Sequence, residues 1–354
     1  MKKNITFVCG ATGGHVYPAI AVAEQLHNHH CQFIINKNRQ AESILQQLNK
    51  SMISISCHSK NIIQLINVFF TTRKLLKSTH LLIGTGGFIT SIVALAAKSR
   101  NIPIILLEQN VLPGKATRYS QYIANYICTS FPQSSQYLNQ KKCILTGNPV
   151  RNPEQSNPQP YITNSSNQKW LIFGGSQGAK FINQLIISNS HYFIKNNIDI
   201  IHITGLNQFD EWITKSPHHH IDNTKQHNSS KYNTYTNNTM TYTLINYVTD
   251  IHHLYKWCSL AVSRSGATSV AELFHYKVSA ILIPYPHAAD NHQELNAKAF
   301  CKHSNGYYIN QHNVTFDKLI AVAKKTQNKQ STSPSFTLET TKKITALITK
   351  TLQH

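Results

Sequence analysis

Ten of the chain's 14 glycines fall at four junctions, three with a cluster of three and one with Gly266 alone, each where an apolar run gives way to a helical pattern. Glycine at such a junction lets a ligand approach the main chain. The helix that follows offers amide N–H groups and the positive end of its dipole. That chemistry suits phosphate. In the stretch from Ser263 to Glu272, Gly266 ends a tight turn and Arg264 adds a planar cationic fork. Glu272 lies about one turn into the helix, where its carboxylate can take the hydroxyls of a ribose. An ordinary strand-to-helix turn with a surface arginine explains this stretch alone equally well; repetition of the design favours a ligand. Gly174, Gly175, Ser176, Gln177 and Gly178 form a second turn suited to a diphosphate. Gly10, Thr12, Gly13, Gly14 and His15 bring a histidine to a third, and Glu108 closes an apolar run. His15 and Glu108 are the candidate proton acceptors. An imidazole with an unperturbed pKa of about 6.5 suits general-base work, although a histidine that only satisfies its own turn remains the alternative. The six aspartates are scattered, with no Asp-x-Asp. No carboxylate-held metal is expected, and no cofactor.

Strands and helices must alternate to place these turns. The pattern predicts strands at 4–9, 31–35, 52–55, 81–83 and 102–107, with helices at 19–29, 40–48, 62–77 and 92–98 between or beside them. Near-continuous apolar strands alternating with helices imply a parallel sheet covered on both faces, with ligands at the carboxyl ends of its strands. After the Pro-, Asn- and Ser-rich stretch 152–168 the alternation restarts. Strands are predicted at 170–173, 198–203, 244–248, 260–262 and 279–283; helices at 180–195, 250–257, 268–275 and 294–303; and a polar loose loop at 215–241. The reading is α/β: two Rossmann-like parallel-sheet domains facing a cleft. Residues 1–151 form the first, 152–168 a linker and 169–335 the second. A terminal helix in 336–354 is expected to pack back on the first domain. The first turn reads G-x-x-G-G, not G-x-G-x-x-G, and the second strand ends at Asn36 and Lys37 without an acidic residue. Both features argue against a dinucleotide.

The formal net charge is +20 with only 14 acidic residues, which favours anionic partners. The seven cysteines lack C-x-x-C spacing and read as reduced thiols. His218, His219 and His220 sit in a polar tract without Cys or acidic partners and read as a solvated loop. No apolar stretch nears the roughly 18 residues of a spanning helix, and the apolar start is too short for a secretory signal. Residues 62–77 crowd Ile62, Ile63, Ile66, Phe69 and Phe70 beside Arg73, Lys74 and Lys77. That mixture suits an anionic membrane surface; a core helix with a basic end is the alternative.

Seven motifs occur in one order over both halves. They are Thr12-Gly-Gly-His15, Gly84-x-Gly-Gly-Phe88, Glu108-Gln-Asn110, Gly147-Asn-Pro-Val-Arg151, Gly174-Gly-Ser-Gln-Gly-Ala179, Arg264-Ser-Gly-Ala267 and Asp290-x-His-Gln293. Together, from about Lys3 to about Leu352, the chain resembles the MurG family of bacterial peptidoglycan N-acetylglucosaminyltransferases, of the GT-B fold. The resemblance implies an inverting transfer of N-acetylglucosamine from UDP-GlcNAc to undecaprenyl-diphosphoryl-MurNAc-pentapeptide (lipid I), giving lipid II. It implies a peripheral enzyme on the cytoplasmic face of the bacterial inner membrane, with an anionic membrane surface as partner and no nucleic acid. Carried over, the donor contacts would be Thr12, Gly13, Gly14, Asn110, Arg151, Ser176, Val248, Ala267, Thr268, Ser269, Val270, Ala271, Glu272 and Gln293. Val248 would meet uracil through its backbone, and Glu272 the ribose. Ser176 and Arg264 would face the diphosphate, and Gln293 and Asn110 the sugar. The sequence departs from the family at Leu107, where a histidine is usual, and at 56–61, which lacks the glycine-rich basic acceptor loop. Two rivals remain. A UDP-GlcNAc 2-epimerase of the same build needs acidic groups for proton transfer, and few exist here. A basic nucleic-acid-binding protein needs clustered basic and aromatic residues, whereas these are dispersed.

Overall fold

The computed structural model describes residues 2–57, 61–151, 159–216, 224–227, 230–237, 239–327 and 339–353. It divides into two units, Met1–Asn152 with Ser335–His354, and Pro153–Pro334. The first unit runs β1 (Asn4–Cys9), α1 (Gly13–Ala23), β2 (His30–Asn36), α2 (Arg39–Gln47), β3 (Met52–Ile55), α3 (Ile62–Leu75), β4 (Leu81–Gly84), α4 (Phe88–Lys98), β5 (Ile104–Glu108), α5 (Lys115–Ser120), β6 (Tyr126–Thr129) and β7 (Cys143–Leu145). Its seven strands lie in the order β3-β2-β1-β4-β5-β6-β7, and every neighbouring pair is parallel. β4 and β5 are buried along their whole length, as a sheet covered on both faces requires. The order steps away from β1 in one direction and from β4 in the other. The switch point therefore lies between them, and the turns at Gly10 and Gly84 leave the carboxyl ends of those two strands.

The second unit runs β8 (Gln168–Phe173), α6 (Lys180–Ile187), α7 (Ser190–Lys195), β9 (Ile198–Ile203), α8 (Phe209–Lys215), β10 (Thr224–His227), β11 (Ser230–Thr236), β12 (Thr241–Ile245), α9 (His252–Trp257), β13 (Leu260–Ser263), α10 (Ala267–His275), β14 (Ala280–Leu282), α11 (His292–His303), β15 (Gly306–Tyr308) and α12 (Phe316–Gln327). Its strand order is β10-β11-β12-β9-β8-β13-β14-β15. The switch point lies between β8 and β13, and the turns at Gly174 and Gly266 leave those strands. α13 (Thr340–Gln353) closes the chain. Its Ile344 and Ile348 are fully buried with Val16, Ala19 and Ile20 of α1, in the first unit's core.

Several elements differ from the sequence expectation. The described part of 215–241 is not a loose loop: β10 and β11 form an antiparallel hairpin, and β11 pairs with β12. β11 is polar, so an apolar pattern does not reveal it. Its Tyr and Thr residues favour a half-buried strand all the same. β12 covers 241–245, so Asn246, Tyr247 and Val248 lie beyond the strand. α1 starts at the glycine turn and carries Pro18 inside it, which gives up one intrahelical bond at that position. The expected 180–195 helix breaks into α6 and α7 at Asn189. Part of the expected linker is ordered around buried Asp199, whose carboxylate accepts from Thr163, Ser165 and Asn167 and from the Thr241 amide. The stretch 152–158 and His218, His219 and His220 lie outside the described residues. All seven cysteines are free.

Ile348→Ala is expected to cost about 2–4 kcal/mol by leaving a cavity in the first unit's core. Native-state hydrogen exchange checks it: β1 amides lose protection while β8 amides keep theirs. Equal loss in both strands would contradict the placement of α13.

Candidate active site

In the first unit the two switch-point turns cross. A Cβ built on Gly87 would collide with the Gly10 backbone, and Gly86 and Gly87 take φ of +102° and +84°, so neither turn accepts a side chain there. His15 fills the slot between the turns. A Cβ on Gly10 would stand 2.5 Å from its Cδ2, and one on Gly86 2.8 Å from its Cε1. Its Nδ1 lies 2.7 Å from the Thr85 carbonyl, and Thr85 Oγ1 donates back to the His15 carbonyl at 2.8 Å. A carbonyl only accepts, so Nδ1 carries the proton and the neutral ring has its lone pair at Nε2. Thr12 and Gly14 are exposed beside it, and Gly13 is buried.

Glu108 is placed differently from the candidate base expected. It is buried; Oε1 accepts from the Asn110 amide at 3.0 Å and from Asn110 Nδ2 at 3.3 Å, and Oε2 accepts from the Gly114 amide at 3.0 Å. Both oxygens hold the loop that follows β5. Glu108 positions Asn110 instead of facing solvent as a base. Arg151, expected at the donor, makes a two-armed contact with Glu24 at the end of α1: Nε to Oε2 and Nη2 to Oε1, each 3.3 Å. Leu107 is buried in the core of the first unit.

In the second unit, Gly175 and Gly178 take φ of +83° and +76°, and a Cβ on Gly178 would collide with the Thr204 carbonyl. The turn carrying half-buried Ser176 is thereby pressed onto residues 204–208. The Gly266 turn is pinned from three sides. Ser265 is fully buried; its Oγ donates to the Gln293 carbonyl at 2.7 Å, and Asn296 Nδ2 donates to its carbonyl at 3.2 Å. Arg264 supplies the third tie, and here the expectation of a phosphate-facing fork is corrected. The side chain is buried, with Nη1 donating to the carbonyls of Ile283 and Pro284 at 2.9 and 3.1 Å and Nη2 to Gln311 Oε1 at 2.6 Å. A guanidinium whose donors end on carbonyl oxygens braces the turn. Burial pulls it down to about 10, so it stays charged at neutral pH.

Gly266 itself differs from the other glycines of the turns. Its φ is −60°, and a Cβ added to it would meet nothing within 4 Å. Among the described residues neither strain nor packing calls for glycine there, and the space above it is open. Ala267, Thr268 and Ser269 continue half-buried into α10. Val270 is fully buried and its N–H donates to the Gly266 carbonyl at 2.9 Å, so it faces the core, as Ala271 largely does. Glu272 is half-buried and accepts from Tyr255 Oη at 2.8 Å. Burial, and then the nearby Glu272 charge, hold the Tyr255 phenol well above its usual range. Gln293 Oε1 accepts from the Tyr285 amide at 3.0 Å, and the Ser265 bond to its carbonyl places Gln293 beside the Gly266 turn. Val248 lies in the segment after β12, where Asn246 accepts from the Lys231 and Tyr247 amides. The sequence did not single out Ser265 or Asn296 as braces, because their partners lie 28 and 31 residues away.

α1, α4, α6 and α10 start at the switch-point turns and take no side-chain cap from Thr12, Gly87, Ala179 or Gly266; helix starts at glycine turns suit an anion. Among the described residues, no group of three or more His, Cys, Asp or Glu is placed to hold a metal ion.

Residues 5–129 match the family model for the glycosyltransferase family 28 N-terminal domain, and residues 170–351 that for its C-terminal domain. A relative from Francisella philomiragia, a UDP-N-acetylglucosamine--N-acetylmuramyl-(pentapeptide) pyrophosphoryl-undecaprenol N-acetylglucosamine transferase, is 33% identical over 91% of this chain and 88% of its own. Among solved structures, Acinetobacter baumannii MurG superposes with a TM-score of 0.70 at 22% identity, covering 98% of this chain and 99% of that one. A UDP-GlcNAc 2-epimerase from Neisseria meningitidis superposes with 0.64 at 14% identity over 98% and 100%. At these identities the superpositions show a shared fold.

Two glycines should separate the roles. Gly266→Ala is expected to cost no more than about 1 kcal/mol of stability and to weaken nucleoside diphosphate binding at least about tenfold, or roughly 1.4 kcal/mol. Gly87→Ala is expected to lower the melting temperature sharply. Calorimetry on both variants checks this; unchanged ligand affinity in Gly266→Ala would count against the site.

Proposed function

The chain belongs to glycosyltransferase family 28, and from that premise we propose that it is the N-acetylglucosaminyltransferase its relatives are named for. It moves N-acetylglucosamine from UDP-GlcNAc to undecaprenyl-diphosphoryl-MurNAc-pentapeptide. One observation carries this reading: both domain models of the family match in order, together with a transferase relative 33% identical over 91% of the chain. The epimerase reading rests on a shared fold alone, at 14% identity for the Neisseria meningitidis enzyme, and is not favoured.

The donor belongs to the second unit. Its diphosphate meets the turn at Ser176 and the start of α10 at 266–269, the ribose meets Glu272, the uracil meets the main chain near Val248, and the sugar meets Gln293. Breaking the bond from the anomeric carbon to UDP leaves negative charge on the diphosphate. Fixed main-chain donors stabilise that charge without rearranging. Cationic character at the anomeric carbon is met by attack of the acceptor hydroxyl from the opposite face, which inverts the centre, as in single-displacement glycoside chemistry. His15 takes the hydroxyl proton at Nε2, because Thr85 holds the proton on Nδ1. The lipid acceptor belongs to the first unit.

That unit also carries the surface we assign to an anionic membrane. α3 leaves Ile62, Ile63, Ile66 and Phe70 exposed, Ile62 and Ile63 by 68% and 67%, and Arg73, Lys74 and Lys77 are exposed at its basic end. Leu95 on the neighbouring α4, and Tyr119 and Tyr122 in and after α5, extend the apolar surface. Apolar groups entering the headgroup region beside cations give peripheral attachment. No described helix is long and apolar enough to cross a membrane. We place the enzyme on the cytoplasmic face of the inner membrane.

Radiolabel transfer from UDP-GlcNAc to lipid I, with UDP-GalNAc as the control, tests the activity; labelling from UDP-GalNAc alone would overturn it. His15→Ala is expected to lower kcat by about 10²–10⁴ with KM for UDP-GlcNAc little changed, and near-normal turnover at saturation would remove His15 as the base. Binding to anionic vesicles should weaken as salt rises and fall further in Phe70→Ser; equal binding to neutral vesicles at every salt concentration would contradict the membrane surface.

A further inference from the structure

A line of hydrogen bonds runs through the second unit and ends on its glycine turn. His202, on β9, is fully buried, with Nδ1 3.1 Å from Tyr242 Oη and Nε2 2.9 Å from Asn183 Oδ1. Asn183 Nδ2 donates to the Thr204 carbonyl at 2.9 Å and to Gln208 Oε1 at 3.1 Å. Gln208 Oε1 also accepts from Trp212 Nε1 at 3.1 Å, and Gln208 Nε2 donates to the Gln177 carbonyl at 3.0 Å. Two members act in one sense only: a carbonyl accepts and an indole N–H donates. Thr204 therefore turns Asn183 with Oδ1 toward His202, and Trp212 turns Gln208 with Nε2 toward Gln177. His202 then donates from Nε2 and accepts at Nδ1 from Tyr242. Burial pulls this imidazole down to about 3, which keeps it in the neutral form the line requires. From Tyr242 to Gln177 every donor points the same way, and such aligned bonds strengthen one another in a low-dielectric interior.

We propose that Gln208, backed by Asn183 and His202, is a positioning residue for the donor diphosphate. It holds the Gln177 carbonyl, whose negative end would repel phosphate, and fixes the shape of the turn at 174–178. The same 204–208 turn is tied to the segment leading to Val248, since Thr204 N–H donates to the Ile245 carbonyl at 2.8 Å and Gly205 N–H to the Asn246 carbonyl at 2.9 Å. One strut thus spaces the phosphate turn from the uracil segment. The inference rests on the reading of 174–178 as a diphosphate site.

Two variants test it. Gln208→Met removes the bond to Gln177 without adding charge. Gln208→Glu keeps the acceptor for Trp212 and Asn183, loses the donor to Gln177 and adds a carboxylate charge. Calorimetric titration of each folded variant with UDP, and separately with uridine, reads the effect. Both are expected to bind UDP about tenfold more weakly, to keep the wild-type affinity for uridine, and to show a similar rise in KM for UDP-GlcNAc. Weakening in Gln208→Glu alone, abolished by salt, is charge repulsion and overturns the proposal, as does equal weakening toward UDP and uridine. Wild-type protein that bound uridine and UDP equally would remove the diphosphate site, and the proposal with it.

Discussion

A diphosphate gripped by main-chain amides needs a turn that is open above and immobile below. The Gly266 turn meets both needs. Among the described residues nothing stands where its Cβ would be, while Ser265, Asn296 and Arg264 fix the backbone beside it. An amide donor stabilises charge without reorganising only when its peptide plane is already held. In the proposed reading the buried polar groups around this turn therefore serve binding by holding the backbone still.

The same logic explains where charge is spent. Arg264 and Arg151, natural phosphate ligands by type, are placed on carbonyl oxygens and on Glu24. Glu108 takes amides of its own loop. Each ionic side chain fixes a loop, and the loop presents the main chain. His15 is the exception among the residues weighed. Glycines on both sides leave room for its ring, and one carbonyl sets its tautomer, so the imidazole we propose as the base is held at a defined place in the first unit.

The alternation of strands and helices, the two units and the four turns were legible in the sequence, because fully buried parallel strands read as unbroken apolar runs. Neither strand order nor the pairing of turns at each switch point can be read from local pattern; both follow from which strands pair. The hairpin of β10 and β11 escaped because its residues are polar and its partner, β12, gives it register only in the fold. The glycine turns, and the place of His15 inside one of them, were legible from type and spacing; what they bind was not. The duties of Arg264, Arg151 and Glu108 were not, since an arginine or glutamate beside a glycine turn looks the same whether it faces ligand or braces the loop. Gln208 carried no signal at all: only contact with Gln177, 31 residues away, gives it a role.

The most direct test is an amide NMR titration of isotope-labelled protein with UDP and then with uridine, both in excess chelator. Main-chain binding of the diphosphate predicts that the amides of 175–178 and 266–269 shift with UDP and stay in place with uridine. Shifts confined to Val248 and its neighbours, or shifts that appear only when a divalent cation is restored, would contradict it.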